Sequence, residues 1–598
     1  MKLTGGQIIM KYLEREGVPY VLGIPGHGIL GFFDALRESA AAGNTKYIQV
    51  KHEQAAVHIA DGYFRIKGEP LAVFTSIGPG ALNTAIGLAT AYVDSSAVFQ
   101  ISGDTHVQMK GVGVLQEIER YQDSNFIRAL EPLAKRAWRA ESAGQLPRIM
   151  QRSFNQMLTG RSGPVVVALP MNVQADAADV TLPEPECHRA RSLPAGNEHE
   201  VAQAVALLKR AKRPVILLGG AALRANEQPL LVRLAETLGA AVVTTMAGKS
   251  AFPEDHPLYG FHTGSKGTPV GVKLTKNADV ILALGTRFAD ETTCSYKDGV
   301  AFSIPKTKLI HVDVDANEIG KNYPCAVGIV GDLVEVAKQI IAAYGAPAVW
   351  ENGGYLKELT AEKIAWQKKI EDVRRKTFDK ITISQLIGEL EACLPKDTII
   401  TTSSGNTQAQ LFQEYRFTNG QRHLTTGGFS TMGWTFPAAM GAKLAAPDKP
   451  VVALLGDGDF MMTMQELSTM AQYNIPVVAV VANNRCWMAI RDLQQGMLGE
   501  DCVFGNDFEC GGEPYSPDFA AIAKNFGIQS ERISKRGSVN EAVTRALASG
   551  RPALIEVDVY DRYPESGGEA FGWWDVPIPA YLRQRREKYE TDLKGETV

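Results

Sequence analysis

Short runs of β-branched and other apolar residues alternate with longer helical patterns along nearly the whole chain. Most of these runs are apolar throughout, and few alternate between apolar and polar residues. Continuous apolar strands that are separated by helices are typical of parallel sheets covered by helices on both faces. The pattern therefore predicts an α/β protein. The strand candidates are residues 71–76, 98–102, 165–169, 215–218, 280–284, 309–314, 398–402, 451–455, 477–482 and 553–559.

Two stretches interrupt this alternation and are predicted linkers. Residues 178–200 carry prolines and charges with little apolar periodicity, and residues 346–376 hold Pro347, a glycine pair and a strongly charged helix. We therefore expect three doubly wound parallel-sheet domains of ordinary size, followed by a C-terminal tail. The expected boundaries are 1–180, 200–345 and 377–565 for the domains and 566–598 for the tail.

Composition and charge exclude several classes of protein. The chain has 598 residues, of which 45% are hydrophobic, so it can fill several cores and is not a disordered protein. Lys and Arg number 62 against 66 Asp and Glu, which leaves no overall basic field for nucleic acid. The seven cysteines are scattered without a CxxC pair, as in a reducing compartment. Because no apolar run approaches the ~20 residues of a membrane span, we expect a soluble, cytoplasmic protein without nucleic-acid or membrane partners.

The segment 451–491 carries the strongest chemical signal. An apolar strand ends at Gly456-Asp457-Gly458, a helical stretch follows, and a second apolar strand ends at Asn483-Asn484. A right-handed parallel crossover brings both strand ends to the same sheet edge, where doubly wound folds bind ligands. Carboxylate and amide oxygens suit Mg²⁺ or Ca²⁺, and a following helix N-terminus favours phosphate. The alternative is a plain strand-end turn before an Asn-rich loop.

This GDG…NN spacing resembles the thiamine diphosphate signature of the superfamily that includes acetohydroxyacid synthase and pyruvate decarboxylase. The resemblance covers about the whole chain and implies a pyrimidine-binding, a central nucleotide-binding-like and a diphosphate-binding domain. It also implies that Asp457, the Asn484 side chain and the Cys486 carbonyl hold Mg²⁺ against the cofactor diphosphate. The cofactor-binding positions that it implies in the C-terminal domain are Gly405, Asn406, Thr407, Ser430, Met432, Gly456, Gly458, Asp459, Trp487 and Met488.

A carboxylate is expected to activate the cofactor, because thiamine chemistry requires a proton to leave a weakly acidic thiazolium carbon. Glu53 directly follows a strand and begins a helix in the run HEQAA. By itself this position also suits a favourable charge in a helix first turn. The family pattern HEQ-A…A-D-G-Y implies that Glu53 is the catalytic carboxylate. The resemblance also implies that Gly78, Pro79 and Asn83, which follow in family order, bind the cofactor, for which a plain turn is the alternative. Gln116 follows as a further catalytic candidate, for which a helix cap is the alternative.

In this superfamily the activating carboxylate and the diphosphate site meet across a subunit interface. The resemblance therefore implies a homodimer, or commonly a homotetramer. Residues 200–345 resemble the domain in which synthases hold FAD, with Gly219-Gly220, Gly285-Thr286-Arg287, Asp313 and Asp315 at matching places. Relatives also hold ADP there or leave the domain empty, and Glu291 replaces the second arginine of the synthases. FAD, ADP and no ligand remain open.

The reaction itself is predicted from a smaller set of residues. The segments GPGALNTAIGLATAYVDS, GTRFAD and HVDVDANEIGKNYP resemble acetohydroxyacid synthase. The loop around His27, the AGKS segment 247–250 and the pair Trp573-Trp574 resemble the trihydroxycyclohexanedione hydrolase of inositol breakdown. His27 could protonate an intermediate or assist water, and otherwise is a loop histidine that caps a carbonyl. The paired tryptophans fit either core anchors or a mobile lid.

Three hypotheses follow. The first is a thiamine diphosphate-dependent hydrolase or lyase of a 2-oxo or 1,2-dione substrate. The second is an acetolactate synthase-type carboligase that acts on pyruvate. The third is a nucleotide-binding or regulatory subunit that has lost its activity, which the joint presence of Glu53, Asp457 and Asn484 disfavours.

Overall fold

The structure, a computed structural model, describes residues 1–118, 125–190, 192–348, 354–418 and 420–594. Three six-stranded sheets succeed one another along the chain, and every strand pairing within them is parallel. Apolar strands such as 280–284 and 451–455 are buried, as strands covered on both faces should be. The predicted α/β fold with three parallel-sheet domains is therefore confirmed. Parts of both predicted linkers, at residues 191 and 349–353, lie outside the described residues.

The N-terminal sheet has the strand order β3-β2-β4-β5-β7-β6, and β1 pairs antiparallel with β8. Its first helix begins at Thr4, whose side chain accepts from the Gln7 N–H while the Gln7 side chain accepts from the Thr4 N–H. The strands are β1 (Lys2–Thr4), β2 (Tyr20–Gly23), β3 (Lys46–Gln49), β4 (Ala72–Thr75), β5 (Phe99–Asp104), β6 (Arg136–Arg139), β7 (Val165–Pro170) and β8 (Ala177–Asp179). The helices are α1 (Gly5–Arg15), α2 (Leu30–Ala41), α3 (Glu53–Lys67), α4 (Pro79–Leu82), α5 (Ala85–Val93), α6 (Phe126–Leu130), α7 (Leu146–Leu158) and α8 (Met171–Ala175).

The central sheet has the order β11-β10-β9-β12-β13-β14 and a hydrophobic core of its own. A long, charged helix, α15, leads from it to the third sheet. The strands are β9 (Pro214–Leu218), β10 (Ala241–Thr244), β11 (Tyr259–His262), β12 (Val280–Leu284), β13 (Lys308–Asp313) and β14 (Val327–Val330). The helices are α9 (Glu198–Arg210), α10 (Gly220–Ala225), α11 (Gln228–Leu238), α12 (Pro269–Lys276), α13 (Asp290–Thr293), α14 (Leu333–Tyr344) and α15 (Leu356–Arg375).

The C-terminal sheet has the order β16-β15-β17-β18-β22-β21, and β19 and β20 form a separate short hairpin. The strands are β15 (Ile399–Thr402), β16 (Arg422–Thr425), β17 (Val451–Gly456), β18 (Val478–Asn483), β19 (Glu509–Cys510), β20 (Glu513–Pro514), β21 (Gln529–Ile533) and β22 (Ala553–Asp558). The helices are α16 (Ile383–Cys393), α17 (Asn406–Glu414), α18 (Thr435–Ala445), α19 (Asp457–Met461), α20 (Leu467–Gln472), α21 (Met488–Leu498), α22 (Phe519–Asn525), α23 (Val539–Ala548) and α24 (Arg583–Asp592).

The first and third sheets share a hydrophobic core, which is centred on the contact between α3 and α18. The helices approach closely because each presents a glycine to the backbone of the other. A Cβ atom at Gly62 would lie 2.2 Å from the Ala438 carbonyl oxygen, and one at Gly441 would lie 1.9 Å from the Ile59 carbonyl oxygen. This packing fixes α3, which begins at Glu53, relative to the C-terminal domain of the same chain.

Candidate functional site

The carboxyl ends of β17 and β18 bring Asp457 and Asn484 together. Asp457 is buried, and its Oδ1 accepts from the Gly458 N–H at 2.8 Å while its Oδ2 accepts from the Arg485 N–H at 2.6 Å. The Asn484 Oδ1 accepts from the Cys486 N–H at 3.2 Å. Arg485 has a φ of +61°, so the turn after β18 folds back toward Asp457. Asp457 therefore contacts the turn that carries the other two predicted metal-binding residues, Asn484 and Cys486.

The donor set at this edge fits a hard divalent cation. Burial raises the pKa of Asp457 to about 6, although backbone N–H groups, first that of Gly458, oppose the shift. A bound cation would compensate for that buried charge. In the described part of the chain no three His, Cys, Asp or Glu side chains cluster for a metal. A site here would combine one carboxylate with amide and carbonyl oxygens, which suits Mg²⁺.

Glycines on both sides of this set leave room for a ligand or for a close aromatic contact. A Cβ atom at Gly456 or at Gly405 would meet nothing within 4 Å. One at Gly458 would lie 2.1 Å from the ring of Trp487, which itself packs edge-on against Phe508 with ring centroids 5.3 Å apart. Gly456 and Gly405 thus border open space. Position 458 requires a glycine because the Trp487 ring fills the space that a side chain would need.

Asn406 and Thr407 form the first turn of α17, where backbone N–H groups are free to bind phosphate. The Asn406 side chain donates to the Asp492 Oδ2 at 2.7 Å, and burial raises the pKa of Asp492 to about 6. Sequence reasoning missed Asp492. The only signal for it is an acidic residue one turn after Met488 on the helix that follows the Asn-Asn pair.

Asp459 is a buried connection between neighbouring loops. Its Oδ2 accepts from the Ser403 Oγ at 2.7 Å and the Thr435 Oγ1 at 2.6 Å, and its Oδ1 accepts from the Gly433 N–H. Burial raises its pKa. Because three protein donors occupy this carboxylate, a positioning role is favoured over direct contact with a cofactor. Met488, also buried, accepts a weak hydrogen bond from the Asn484 amide at its sulfur, at 3.4 Å.

The loop after β16 carries Ser430 and Met432. Ser430 is exposed with a φ of +57°, and Met432 is half-buried. The N-terminal domain holds this loop on both sides of Ser430. The Gly428 N–H donates to the Asp94 Oδ1 at 3.1 Å, and the hydroxyls of Thr431 and Thr90 are 2.7 Å apart.

The second part of the predicted site lies at the carboxyl edge of the N-terminal sheet. Glu53 is 8% exposed at the start of α3, and the Asn83 Nδ2 donates to its Oε2 at 2.9 Å. A Cβ atom at Gly80 would lie 3.1 Å from the Glu53 Oε1, so the loop after β4 passes close to that oxygen. Pro79 begins the short helix α4 within this loop.

Gln116 and His27 lie beside the same loop. A Cβ atom at Gly78, which has a φ of +49°, would lie 2.1 Å from the Gln116 carbonyl oxygen. The Ser76 Oγ donates to the Gln116 Oε1 at 3.5 Å. His27 is exposed at the start of a 3₁₀ turn, next to Gly28, where a Cβ atom would lie 2.2 Å from the Ile77 side chain. The two N-terminal candidates for catalysis besides Glu53 thus lie at the same sheet edge.

The central domain places two half-buried arginines beside Asp94 of the N-terminal domain. The Arg287 Nη2 is 3.7 Å from the Asp94 Oδ1, and the Arg224 Nη1 donates to the Asp94 carbonyl at 3.1 Å. Burial lowers the pKa of Arg287, and it raises the pKa of Glu291 to about 8. These charged side chains lie near the predicted nucleotide-binding loops. Binding of FAD or ADP at these loops stays a prediction.

The C-terminal tail lies on the central domain. The Trp574 Nε1 donates to the Asp290 Oδ2 at 2.9 Å, and the Lys297 ammonium is 4.0 Å from the centroid of the Trp573 ring. The Arg585 side chain donates to the Met497 carbonyl, near the end of α21, at 3.0 Å. The tail therefore connects the central domain with α21, the helix that follows the predicted metal-binding residues. That it moves as a lid stays a prediction.

Among the described residues, no helix combines the length and the apolar character needed to cross a membrane.

Comparisons with known proteins agree with this arrangement of domains. Three family models match the chain: the N-terminal TPP-binding domain of thiamine pyrophosphate enzymes at residues 3–124, the central domain at 201–340 and the C-terminal TPP-binding domain at 403–557. A probable acetolactate synthase large subunit of Methanocaldococcus jannaschii is 33% identical over 571 residues, 93% of this chain and 92% of the relative. The large subunit of acetolactate synthase isozyme 3 of Escherichia coli is 31% identical over 568 residues, 93% of this chain and 94% of the relative.

Proposed function

The chain belongs to the family of thiamine diphosphate-dependent enzymes that make or break C–C bonds, and from this premise we propose that it is a carboligase of the acetolactate synthase type. Its proposed substrate is pyruvate. The observation that carries the proposal is the similarity to acetolactate synthase subunits over nearly the full length of both chains. Glu53, Asp457 and Asn484, which the chemistry requires, are all present in this sequence.

The relatives support this carboligase better than the hydrolase or lyase that the sequence analysis puts first. The features that favour the hydrolase are His27, the AGKS segment and the tryptophan pair. His27 is exposed in the single chain, and the tryptophans pack on the central domain. Neither arrangement by itself requires hydrolysis.

In the proposed reaction the protein holds the cofactor at two sheet edges. Asp457, the Asn484 side chain and the Cys486 carbonyl would bind Mg²⁺, and the first turn of α17 would face the diphosphate. When bound, thiamine diphosphate supplies a nucleophilic carbon and accepts the electron pair released as a 2-oxo acid loses CO₂. Loss of CO₂ from one pyruvate and addition of the remaining two-carbon unit to the carbonyl of a second pyruvate would give acetolactate.

Glu53 would exchange a proton with the pyrimidine ring through its Oε1. Asn83 already occupies the Oε2, and Gly80 leaves the space beside the Oε1 free of a side chain. The carboxyl is buried, which strengthens its hydrogen bonds. The protein would thereby fix which oxygen of Glu53 faces the cofactor.

We further propose a homodimer or homotetramer in which Glu53 of one subunit faces Asp457 of another. The proposal rests on the family resemblance and on the contacts of Glu53, which come from Asn83 and Gly80 of its own domain. Size-exclusion chromatography with light scattering tests it. An active monomer would contradict it.

The carboligase is tested by incubating the purified protein with thiamine diphosphate, Mg²⁺ and pyruvate and measuring acetolactate. A parallel series offers other 2-oxo acids and cyclic diones under the same conditions. The proposal expects acetolactate as the main product. Hydrolysis of a dione without formation of acetolactate would contradict the proposal and favour the hydrolase or lyase instead. The visible absorbance of the purified protein tests in addition whether FAD is bound.

A further inference from the structure

A buried carboxyl of the C-terminal domain contacts the segment that leads into Glu53. Glu466 ends the 3₁₀ turn Met464–Glu466 and is fully buried. The Lys51 N–H donates to both of its oxygens, at 3.0 Å and 3.2 Å. The Thr469 Oγ1 donates to the Glu466 Oε2 at 2.6 Å. This contact joins two domains of the same chain.

Further hydrogen bonds between the same two domains lie next to the contact of Glu466 with Lys51. The Tyr473 hydroxyl accepts from the Gln49 N–H at 2.7 Å, and the Lys51 ammonium donates to the Gln472 Oε1 at 2.8 Å. β3 is the edge strand of its sheet, so the outer side of its backbone has no neighbouring strand. Residues 466–473 supply the missing partners where β3 ends and the chain turns toward α3.

The position of Lys51 matters because Glu53 follows two residues later and begins α3. The His52 side chain accepts from the Gln54 N–H at 3.2 Å and caps the helix. The path of the chain through Lys51 and His52 therefore sets where α3 begins and where the Glu53 carboxyl points. Without an acceptor at Glu466, the Lys51 N–H would be an unsatisfied donor in a buried interface. The turn would then shift to find another partner.

We propose that Glu466 is a positioning residue for Glu53: its oxygen holds the Lys51 backbone and thereby orients the carboxyl that activates the cofactor. The inference rests on the proposed role of Glu53. It adds a residue of the C-terminal domain to those that position the catalytic carboxyl of the N-terminal domain. What it requires is an acceptor oxygen at this place, and a full negative charge is not needed.

The pKa of Glu466 agrees with a role that requires a hydrogen-bond acceptor and no full negative charge. Burial raises its pKa to about 7, whereas the hydrogen bonds from Thr469 and from the backbone of Lys51 and His52 act in the opposite direction. A carboxyl with such a pKa is partly protonated at neutral pH. A protonated carboxyl still has an oxygen that accepts from the Lys51 N–H.

Three variants of the full-length protein test the inference. Glu466→Ala removes the acceptor, and Glu466→Gln keeps one acceptor oxygen in a side chain of the same shape. Tyr473→Phe is the matched control, since the lost hydroxyl accepts from the Gln49 N–H and from the Gln472 amide and has no hydrogen bond with the Lys51 backbone. Amide hydrogen exchange of the cofactor-free protein reports on the backbone of Lys51 and His52. Deuterium exchange at the thiazolium carbon of bound thiamine diphosphate reports on Glu53.

Neither exchange measurement uses pyruvate, so the test does not depend on which substrate the enzyme takes. For Glu466→Ala we expect exchange of the Lys51 amide to be about tenfold faster. Exchange at the thiazolium carbon should be slower by about 10- to 100-fold, the usual effect of a small misplacement of a reacting group. Glu466→Gln should stay within about threefold of the wild type in both measurements. Tyr473→Phe should leave thiazolium exchange unchanged.

Wild-type thiazolium exchange in Glu466→Ala would overturn the inference, because Glu53 would then be oriented without Glu466. If Glu466→Ala does not fold, thiazolium exchange in Glu466→Gln decides whether the inference holds. Thiazolium exchange slowed in Glu466→Gln by more than about tenfold would overturn the claim that an acceptor oxygen suffices. An equal loss in Tyr473→Phe would show a general effect of the interface, and it would also count against the inference.

Discussion

Asn83 and Glu53 form a hydrogen-bonded pair in which the Asn83 amide donates to one carboxyl oxygen of Glu53, at 2.9 Å, and leaves the other oxygen free. Glu53 follows β3 and Asn83 follows β4, and the carboxyl ends of these strands lie at the same edge of the sheet, with β2 between them. The sequence placed Asn83 among the cofactor-binding residues. The contact favours a different task, which is to orient the activating carboxyl.

We therefore expect Asn83→Ala to lower kcat by about tenfold, because the Glu53 carboxyl loses the donor that fixes its rotation. Stability should change by less than about 1 kcal/mol, since one partly exposed hydrogen bond is lost. Asn44→Ala, at an exposed asparagine of the same domain, is the control. Steady-state kinetics and thermal unfolding of the three proteins measure both effects. Unchanged kcat in Asn83→Ala would exclude the orienting role.

Gly458 is predicted to be intolerant of a side chain. A Cβ atom there would lie 2.1 Å from the Trp487 ring, so Gly458→Ala must displace that ring and the turn that carries Asn484. We expect a loss of about 1–3 kcal/mol in stability, as for other overpacked sites, together with weaker binding of thiamine diphosphate. Gly144→Ala, where a Cβ atom meets nothing within 4 Å, is the matched control. Thermal unfolding and titration calorimetry with the cofactor measure the two effects, and normal cofactor affinity in Gly458→Ala would contradict the account.

Asp94 connects three domains, and its loss should be costly. It accepts from Arg65 at 3.1 Å and from the Gly428 N–H, and Arg287 lies near it. Asp94→Ala removes one of the two carboxylate partners of the buried Arg65, which keeps Asp61, and we expect a loss of about 2 kcal/mol, the range of a hydrogen bond to a charged group. Because Gly428 belongs to the loop of Ser430, cofactor affinity should fall too. Asp34→Ala removes an exposed surface pair and serves as the control in chemical denaturation. Equal stability of the two variants would contradict this prediction.

Acid should destabilise the protein partly through His58. Burial lowers the pKa of this fully buried histidine to about 4, from 6.5 in a free side chain. Between these two values the unfolded chain binds a proton that the folded chain does not, so stability falls as pH decreases from 6.5 to 4. From pH 7 to 5, His58 should account for about 2 kcal/mol of this loss. Urea denaturation of wild type and His58→Asn at both pH values measures it, and an identical acid dependence of the two would contradict the assignment.

The fold was largely predictable because its interior strands are apolar throughout. The candidates at 280–284 and 451–455, for example, lie inside the buried strands β12 and β17. Strands at sheet edges were not predicted where their sequences are polar, as in Arg136–Arg139 and Gln529–Ile533. Such strands are held by pairing with one neighbour, so their side chains carry little of the apolar pattern that marks a strand.

The candidate site was predictable where a residue type and a strand end coincide, as at Asp457 and Asn484. Contacts between distant segments could not be read in this way. Glu466 and Asp94 hold loops of another domain, and nothing in their local sequence indicates the partner. Asp459 illustrates the same limit, because its position in the GDG segment suggests a ligand contact while three protein donors occupy its oxygens.

The most direct test of the account is the formation of acetolactate from pyruvate by the purified protein, with thiamine diphosphate and Mg²⁺, compared with Glu53→Gln under the same conditions. We expect steady acetolactate formation by the wild type and a loss of at least about 100-fold in Glu53→Gln, in which thiamine diphosphate still binds. No acetolactate from the wild type with bound cofactor, or near-normal formation by Glu53→Gln, would contradict the account.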